Sequence, residues 1–248
     1  MSTVQNLAAV HPFVLKLRSS SAISDEEEQA LAGMLLPART YTQDQDVLVD
    51  AERPASSVLI VSGWACRYKQ LENGKRQILS FLVPGDLTEP FGALPEVMDH
   101  SIGALTELVI APIDVAKARQ LAAGPPGLQQ ALWWDLLVGQ SGLYERILSL
   151  GRRSAVERLG HLFCDLYVRL GRVGLVYERG YDMPVSQADL ADLLGLSTVH
   201  VNRSLQELRL SGMISVKGRR VQIHDLVGLK DASFFDSGYF HFHEDVLR

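Results

Sequence analysis

Between residues 185 and 210, apolar positions recur at helical spacing in two short runs separated by a glycine. Leu190, Leu193 and Leu194 fall on one helical face, and Val201, Leu205 and Leu208 fall on another. Ser186 precedes the first run with Asp189 three residues on, the arrangement of a capping box. Gly195 stands where a backbone of positive φ would end that helix, and Ser197 where a hydroxyl would cap the next. The pattern predicts two helices joined by a tight turn, the arrangement that lays a second helix in the DNA major groove. Residues 214–223 then change to a period of two. Ile214, Val216, Val221 and Ile223 are the apolar positions and Lys217-Gly218 the turn of a β-hairpin.

The inward face of the second helix leaves Thr198, His200, Asn202 and Arg203 pointing outward near its N-terminal end. Short polar side chains and an arginine suit base edges there, because a guanidinium donates two bonds to guanine O6 and N7. Lys217, Arg219 and Arg220 around the hairpin tip make a wing suited to phosphates. On this face Arg203, Arg209, Lys217, Arg219 and Arg220 oppose only Glu207, although the 248-residue chain carries a net charge of −5. The expected partner is double-stranded DNA. An ordinary helical hairpin with a solvated face would account for the helices, but not for the basic wing behind them.

Earlier in the chain the period of two dominates. Residues 47–49, 57–62, 65–71, 76–83, 101–105 and 108–111 read as strands, with Gly63, Asn73-Gly74 and Pro84-Gly85-Asp86 as breaks. Short strands at this spacing predict a small antiparallel barrel or roll, preceded by a capped helix at 24–35. From residue 126 to 150 the period becomes helical. Leu128, Leu132, Leu136, Gly139, Leu143, Ile147 and Leu150 recur at steps of four and three, as in a coiled-coil seam. Self-association along Leu132, Leu136, Gly139, Leu143, Ile147 and Leu150 covers that stripe most economically and gives a two-fold dimer. Ser154 and Glu157 open a further capped helix with an apolar face through Leu170, and residues 171–180 read as a loop. The predicted organisation is α+β: a roll at 1–118, a linker and dimerisation helix at 119–152, a winged helix-turn-helix at 153–228 and an aromatic tail at 229–248.

Hydrophobic residues make up 47% of the chain and charged ones 21%, an ordinary globular balance. The pI near 5.8 excludes a histone-like binder but allows a regulator with a local basic face. No secretory segment is visible at the start and no run approaches the ~18 apolar residues of a membrane span. Cys66 and Cys164 lie in different predicted domains, which fits a reducing cytoplasm, with no membrane partner. No phosphate loop, dinucleotide fingerprint, His-Glu-x-x-His or Gly-x-Ser-x-Gly occurs, so an enzyme is not expected.

A roll, a long helix and a winged helix-turn-helix in this order resemble the Crp–Fnr superfamily of bacterial transcription regulators, from about Val10 to Asp225. The markers are Pro84-Gly85-Asp86, residues 155–159 and residues 190–210 with the wing. The resemblance implies a homodimer on a near-palindromic operator, half-sites ~34 Å apart, and contact with RNA polymerase. It makes Arg203 the guanine-contacting arginine and puts Thr198 and Val199 at base-reading positions. Val199 departs from the glutamate common there: it cannot accept a hydrogen bond from a base but can meet a thymine methyl. Ser197, His200, Lys217 and Arg219 match phosphate-touching positions, with Ser186 and Gln187 as further candidates, and residues 171–183 match a polymerase-contact loop.

Relatives that bind cyclic nucleotides hold the ribose and phosphate with Gly-Glu and Arg-Ser pairs. Here those places carry Glu89-Pro90 and His100-Ser101, so neither the ribose acid nor the bidentate guanidinium is present, and cAMP or cGMP is not the expected effector. Glu89, His100, Ser101 and Arg146 remain the residues expected around a pocket for an unidentified effector. An iron–sulfur cluster lacks its cysteines. Haem through His11 or His100, a metal on His241 and His243, and an oxidation sensor at Cys66 are each weaker than a packed or surface role; no cofactor is identified and Cys66 is expected to be buried. The alternative function is a ligand-binding module that acts on a protein partner instead of DNA.

Overall fold

The computed structural model describes residues 3–241, which fall into two compact units, one ending at Leu137 and the other spanning Val138–His241. In the first unit, α1 (Thr3–Leu17) and α2 (Asp25–Gly33) precede seven strands: β1 (Arg39–Tyr41), β2 (Asp46–Leu48), β3 (Val58–Ser62), β4 (Ala65–Gln70), β5 (Arg76–Leu82), β6 (Ser101–Ala104) and β7 (Leu108–Pro112). They form two antiparallel sheets, ordered β1-β7-β3 and β2-β6-β4-β5. Val58, Ile60, Ala65, Leu82, Ile102, Ala104, Leu108 and Ile110 fill the roll between them. The predicted strands are all present with ends moved by a residue or two, and Cys66 is buried as expected.

Helix α1 was not expected from the sequence. Its Val10, Phe13, Val14 and Leu17 are fully buried at helical spacing, but Pro12 stands among them and reads as a breaker. The Pro84-Gly85-Asp86 turn seats this helix. Gly85 has φ +89°, and a Cβ there would come within 2.9 Å of the Pro12 carbonyl. Asp86 accepts from the Val83 amide at 2.9 Å and pairs with Lys16 Nζ at 3.3 Å, which also reaches Asp135 at 2.9 Å. The two carboxylates hold the Lys16 pKa above the usual lysine value despite the opposing cost of burial. Helix α3 (Val115–Ala122), capped by Asp114, and the start of α4 (Pro126–Arg152) complete the unit.

The boundary between the units falls inside α4, not at either end of it. The second unit continues from α4 into α5 (Ala155–Arg172), β8 (Gly180–Asp182), α6 (Gln187–Leu194), α7 (Thr198–Leu210), β9 (Ile214–Lys217), β10 (Arg220–Ile223) and α8 (Leu226–Ser233). Ser154 and Glu157 form the predicted capping box of α5. Leu159, Leu162, Phe163, Leu166 and Leu170 bury its apolar face. The predicted 171–180 loop is present over 173–179 and leads into β8, which joins the wing in a sheet ordered β8-β10-β9. Three strand residues are too few to carry a period; what pins them is Tyr181, fully buried, with its hydroxyl donating to the Phe163 carbonyl at 3.1 Å.

Candidate nucleic-acid interface

Helices α6 and α7 form as the sequence predicts. Ser186 and Asp189 make a reciprocal capping box, and Gly195 ends α6 at φ +63°. Ser197 Oγ accepts the His200 amide at 3.3 Å and lies 2.8 Å from His200 Nδ1, so the cap also orients the imidazole. Val201, Leu205 and Leu208 are buried, with Ser204 beside them. Thr198, Val199, His200, Asn202 and Arg203 are all exposed over the first two turns of α7, and Val199 keeps 65% of its surface. The four expected base-reading residues therefore share one solvent-facing patch at the positive end of the α7 dipole.

The wing departs from expectation in two details. Lys217 pairs with Arg220, so the two-residue turn is Gly218-Arg219 and not Lys217-Gly218, with Gly218 at φ +58°. Arg220 does not point out from the tip. Its guanidinium lies 3.5 Å from the centroid of the Tyr177 ring, donates to the Tyr177 carbonyl at 2.6 Å and approaches Asp182 at 3.6 Å. An arginine committed to a ring, a carbonyl and a carboxylate is a base-of-wing strut, so the phosphate role expected of Arg220 is withdrawn. Lys217, Arg219 and Arg203 are exposed with no ion pair among the described residues. Ser186 and Gln187 are exposed at the start of α6, but the Ser186 hydroxyl is spent on Asp189 at 2.6 Å.

In the roll, one of the residues expected around an effector, His100, is held by Arg67, a residue of β4 that no sequence motif singles out. Arg67 Nε donates to His100 Nε2 at 2.9 Å, Nη1 to Ser80 Oγ at 3.2 Å and Nη2 to the Thr88 carbonyl. His100 Nε2 lies 3.3 Å from Glu89 Oε1, while Nδ1 sits 2.7 Å from Asp99. With Nε2 accepting from Arg67, the ring proton belongs on Nδ1; that bond holds the Asp99 carboxyl below its usual range. Ser101 Oγ accepts the Asp50 amide at 3.0 Å. Arg67 was invisible as a site residue because in sequence it is one charge on an alternating strand. Arg146 lies in the second unit, not the roll. Burial lowers its pKa, with Asp165 and Arg169 as the neighbouring charges. It stands on α4, the helix on which it is expected, in a polar cluster with Glu145, His161 and Asp165.

Along α4 the expected seam divides. Leu136, Leu143 and Ile147 are 42%, 48% and 69% exposed and Gly139 is open, while Trp133, Leu137, Tyr144 and Leu148 widen the apolar stripe. Leu132 instead packs on the core of the first unit, and Leu150 is half-buried, its Cδ2 3.1 Å from the place of a Cβ on Gly195. His241 Nε2 lies 3.1 Å from Ser141 Oγ; His243 lies outside the described residues. Among the described residues no helix is long and apolar enough to cross a membrane.

Residues 157–232 match the Crp-like helix-turn-helix domain and residues 38–124 the cyclic nucleotide-binding domain. The nitrogen fixation regulation protein FixK of Azorhizobium caulinodans is 30% identical over 204 residues, covering 82% of this chain and 81% of that one. The transcriptional activator protein FnrL of Cereibacter sphaeroides is 26% identical over 227 residues, with 90% and 91% covered. The structure of FixK2 from Bradyrhizobium japonicum superposes with a TM-score of 0.69 at 25% identity, covering 79% of this chain and 96% of that one. A roll, a long helix and a winged helix-turn-helix thus stand in the same order, over most of both chains, in relatives that regulate transcription, and the chain belongs to the Crp–Fnr family of DNA-binding transcription regulators.

Proposed function

We propose that the protein acts as a homodimer on a near-palindromic operator. In each half-site Arg203 reads a guanine, and Thr198, Val199 and Asn202 contact neighbouring base edges. His200, Lys217 and Arg219 hold phosphates, with Ser197 and Gln187 contributing from the two helix N-termini. The observation that carries this reading is the exposed N-terminal face of α7 beside an unpaired Lys217 and Arg219, in a chain whose net charge is −5. The dimer forms along Leu136, Gly139, Leu143 and Ile147, because an apolar stripe this continuous needs cover.

The roll serves an effector other than cAMP or cGMP, or none. Its Arg67 guanidinium is already bonded to His100, Ser80 and Thr88, and the Glu89 carboxylate, 3.3 Å from His100 Nε2, would repel a phosphate brought there. Residues 171–183 are the surface for RNA polymerase. Their tip is a two-residue turn in which Glu178 and Arg179 both take positive φ, +50° and +59°, beside a half-exposed Tyr177. Backbone strain of this kind at an exposed turn fits a contact surface. FnrL is a transcriptional activator, and activation through that turn is the mode carried over to this chain. The testing experiment is selection of bound sequences from random duplex DNA by the purified protein without added ligand. A palindromic motif with half-sites about one turn apart supports the reading. Enrichment of single half-sites only removes the dimer, and no enrichment with or without cell extract removes DNA recognition.

A further inference from the structure

Residues 234–241 lie beyond the stretch that matches the helix-turn-helix domain, which ends at 232, yet two of them are packed like core: Phe235 and Phe240 are 7% and 2% exposed. They fold back over the joint where α4 ends at Arg152 and α5 begins at Ala155. Arg153, in that joint, is buried and needs acceptors. It donates to Ser149 Oγ at 2.8 Å and Glu145 Oε2 at 2.9 Å on α4, and to the Phe234 carbonyl of the tail at 3.0 Å. Phe234 takes φ +51°, a conformation that costs a non-glycine residue energy, at the position that offers this carbonyl.

The next residues grip α5. His161 meets the Phe235 ring edge-on at 5.1 Å and stacks on Tyr239 at 6.1 Å and 17°. The Tyr239 hydroxyl donates to Asp165 at 2.6 Å. The last described residue, His241, returns to α4 at Ser141. From the other side, Arg158 ties the joint to the DNA-reading helices: it donates to the carbonyls of Arg153 at 2.9 Å, Leu150 at 2.9 Å and Leu194 at 3.0 Å. Apolar packing alone would attach the tail to α5; the polar anchors at Ser141, Arg153 and Asp165 tie it to both helices at once.

We infer that residues 234–241 are a strap that fixes the α4–α5 joint, so that α6 and α7 ride on the C-terminal half of α4 as one rigid piece. The strap then sets, within each protomer, the angle at which the recognition helix meets DNA. Its effect on DNA binding rests on the dimeric reading above, since only two coupled recognition helices are sensitive to that angle.

The test uses the full chain carrying Phe235→Ala, Tyr239→Ala and Phe240→Ala together, with Tyr239→Phe as the milder variant. Tyr239→Phe keeps the ring on His161 and loses only the Asp165 bond. Hydrogen exchange reads the joint directly, without DNA. The expected result is about tenfold faster exchange over residues 141–161 in the triple variant and a few-fold in Tyr239→Phe, with α6 and α7 unchanged. Sedimentation should give the parent's oligomeric state. Affinity for a palindromic duplex should fall about tenfold while affinity for a single half-site holds. Unchanged exchange at the joint overturns the strap, as does acceleration spread evenly over α6 and α7, which would make the tail ordinary core. If the triple variant does not fold, Tyr239→Phe decides by the same exchange measurement. A monomeric parent would defeat the dimeric reading while leaving the exchange result to judge the strap.

Discussion

Acid should weaken the second unit through His161. This residue is 6% exposed, and burial is the chief cause that lowers its pKa to about 4, with the Arg153 charge adding to it. Asp165 and Glu145 push the other way, Glu145 Oε2 lying 3.2 Å from Nε2, and Arg146 reinforces the depression. An unfolded histidine titrates near 6.5. The folded form therefore binds the proton less tightly than the unfolded one. The contribution is complete above about pH 6.5 and is lost as the pH falls from there towards about 4. Between pH 7.5 and 4.5 the two values give a loss of roughly 2–3 kcal/mol, between one and two orders of magnitude in the unfolding equilibrium. Trp64, Trp133 and Trp134 all lie in the first unit, so tryptophan fluorescence does not report this change. Hydrogen exchange of α5 amides does. The control is His161→Phe, which keeps a ring between Phe235 and Tyr239 and removes the titration, while the carboxylates common to both proteins cancel. Parallel pH profiles for parent and variant would refute the reasoning.

Arg203→Ala should cost ~1–3 kcal/mol of operator binding and relax selection at one base pair, read by competition against single-base operator variants; unchanged selectivity would remove the base-reading role. Ile147→Glu places a charge at the most exposed position of the expected α4 seam and should yield monomers by analytical ultracentrifugation, with loss of binding to the full palindrome. Arg67→Met removes the cation that bonds His100, Ser80 and the Thr88 carbonyl, and should destabilise the first unit by about 3 kcal/mol, a change tryptophan fluorescence can follow; the loss comes chiefly from leaving those buried acceptors unpaired. Calorimetry of the parent with cAMP should show no binding heat.

The recognition helix was readable from the sequence because its information is local. A cap, a helical period and a glycine of positive φ lie within about 25 residues, and each is decided by chemistry a few positions away. The roll's strands and the capping boxes at Ser154 and Ser186 were legible for the same reason. What escaped is non-local. Pro12 hides α1 because the burial that overrides its helix-breaking tendency comes from distant residues such as Leu59, Ala111 and Leu128, with the Gly85 turn closing on the Pro12 backbone. Arg67 looks like a surface charge until β4 is laid beside β6, where it meets His100 thirty-three positions away. Arg220 looked like a phosphate ligand because sequence distance to the wing tip says nothing about Tyr177, whose ring takes the guanidinium.

These misses share a cause with consequences for function. In both sites an arginine that a motif assigns, or fails to assign, to an external ligand already has partners within the chain, and it takes a new one only by giving those up. A ligand entering the roll would have to displace the Arg67 bonds to His100 and Thr88, and a phosphate at the wing would have to draw Arg220 off Tyr177 and Asp182. Lys217, Arg219 and Arg203 carry no such debt. DNA affinity should accordingly concentrate on those three side chains. Neutralising Lys217 and Arg219 should lower the salt slope of binding by nearly two, whereas Arg220→Gln should leave that slope unchanged and act on the fold of the 171–183 segment instead.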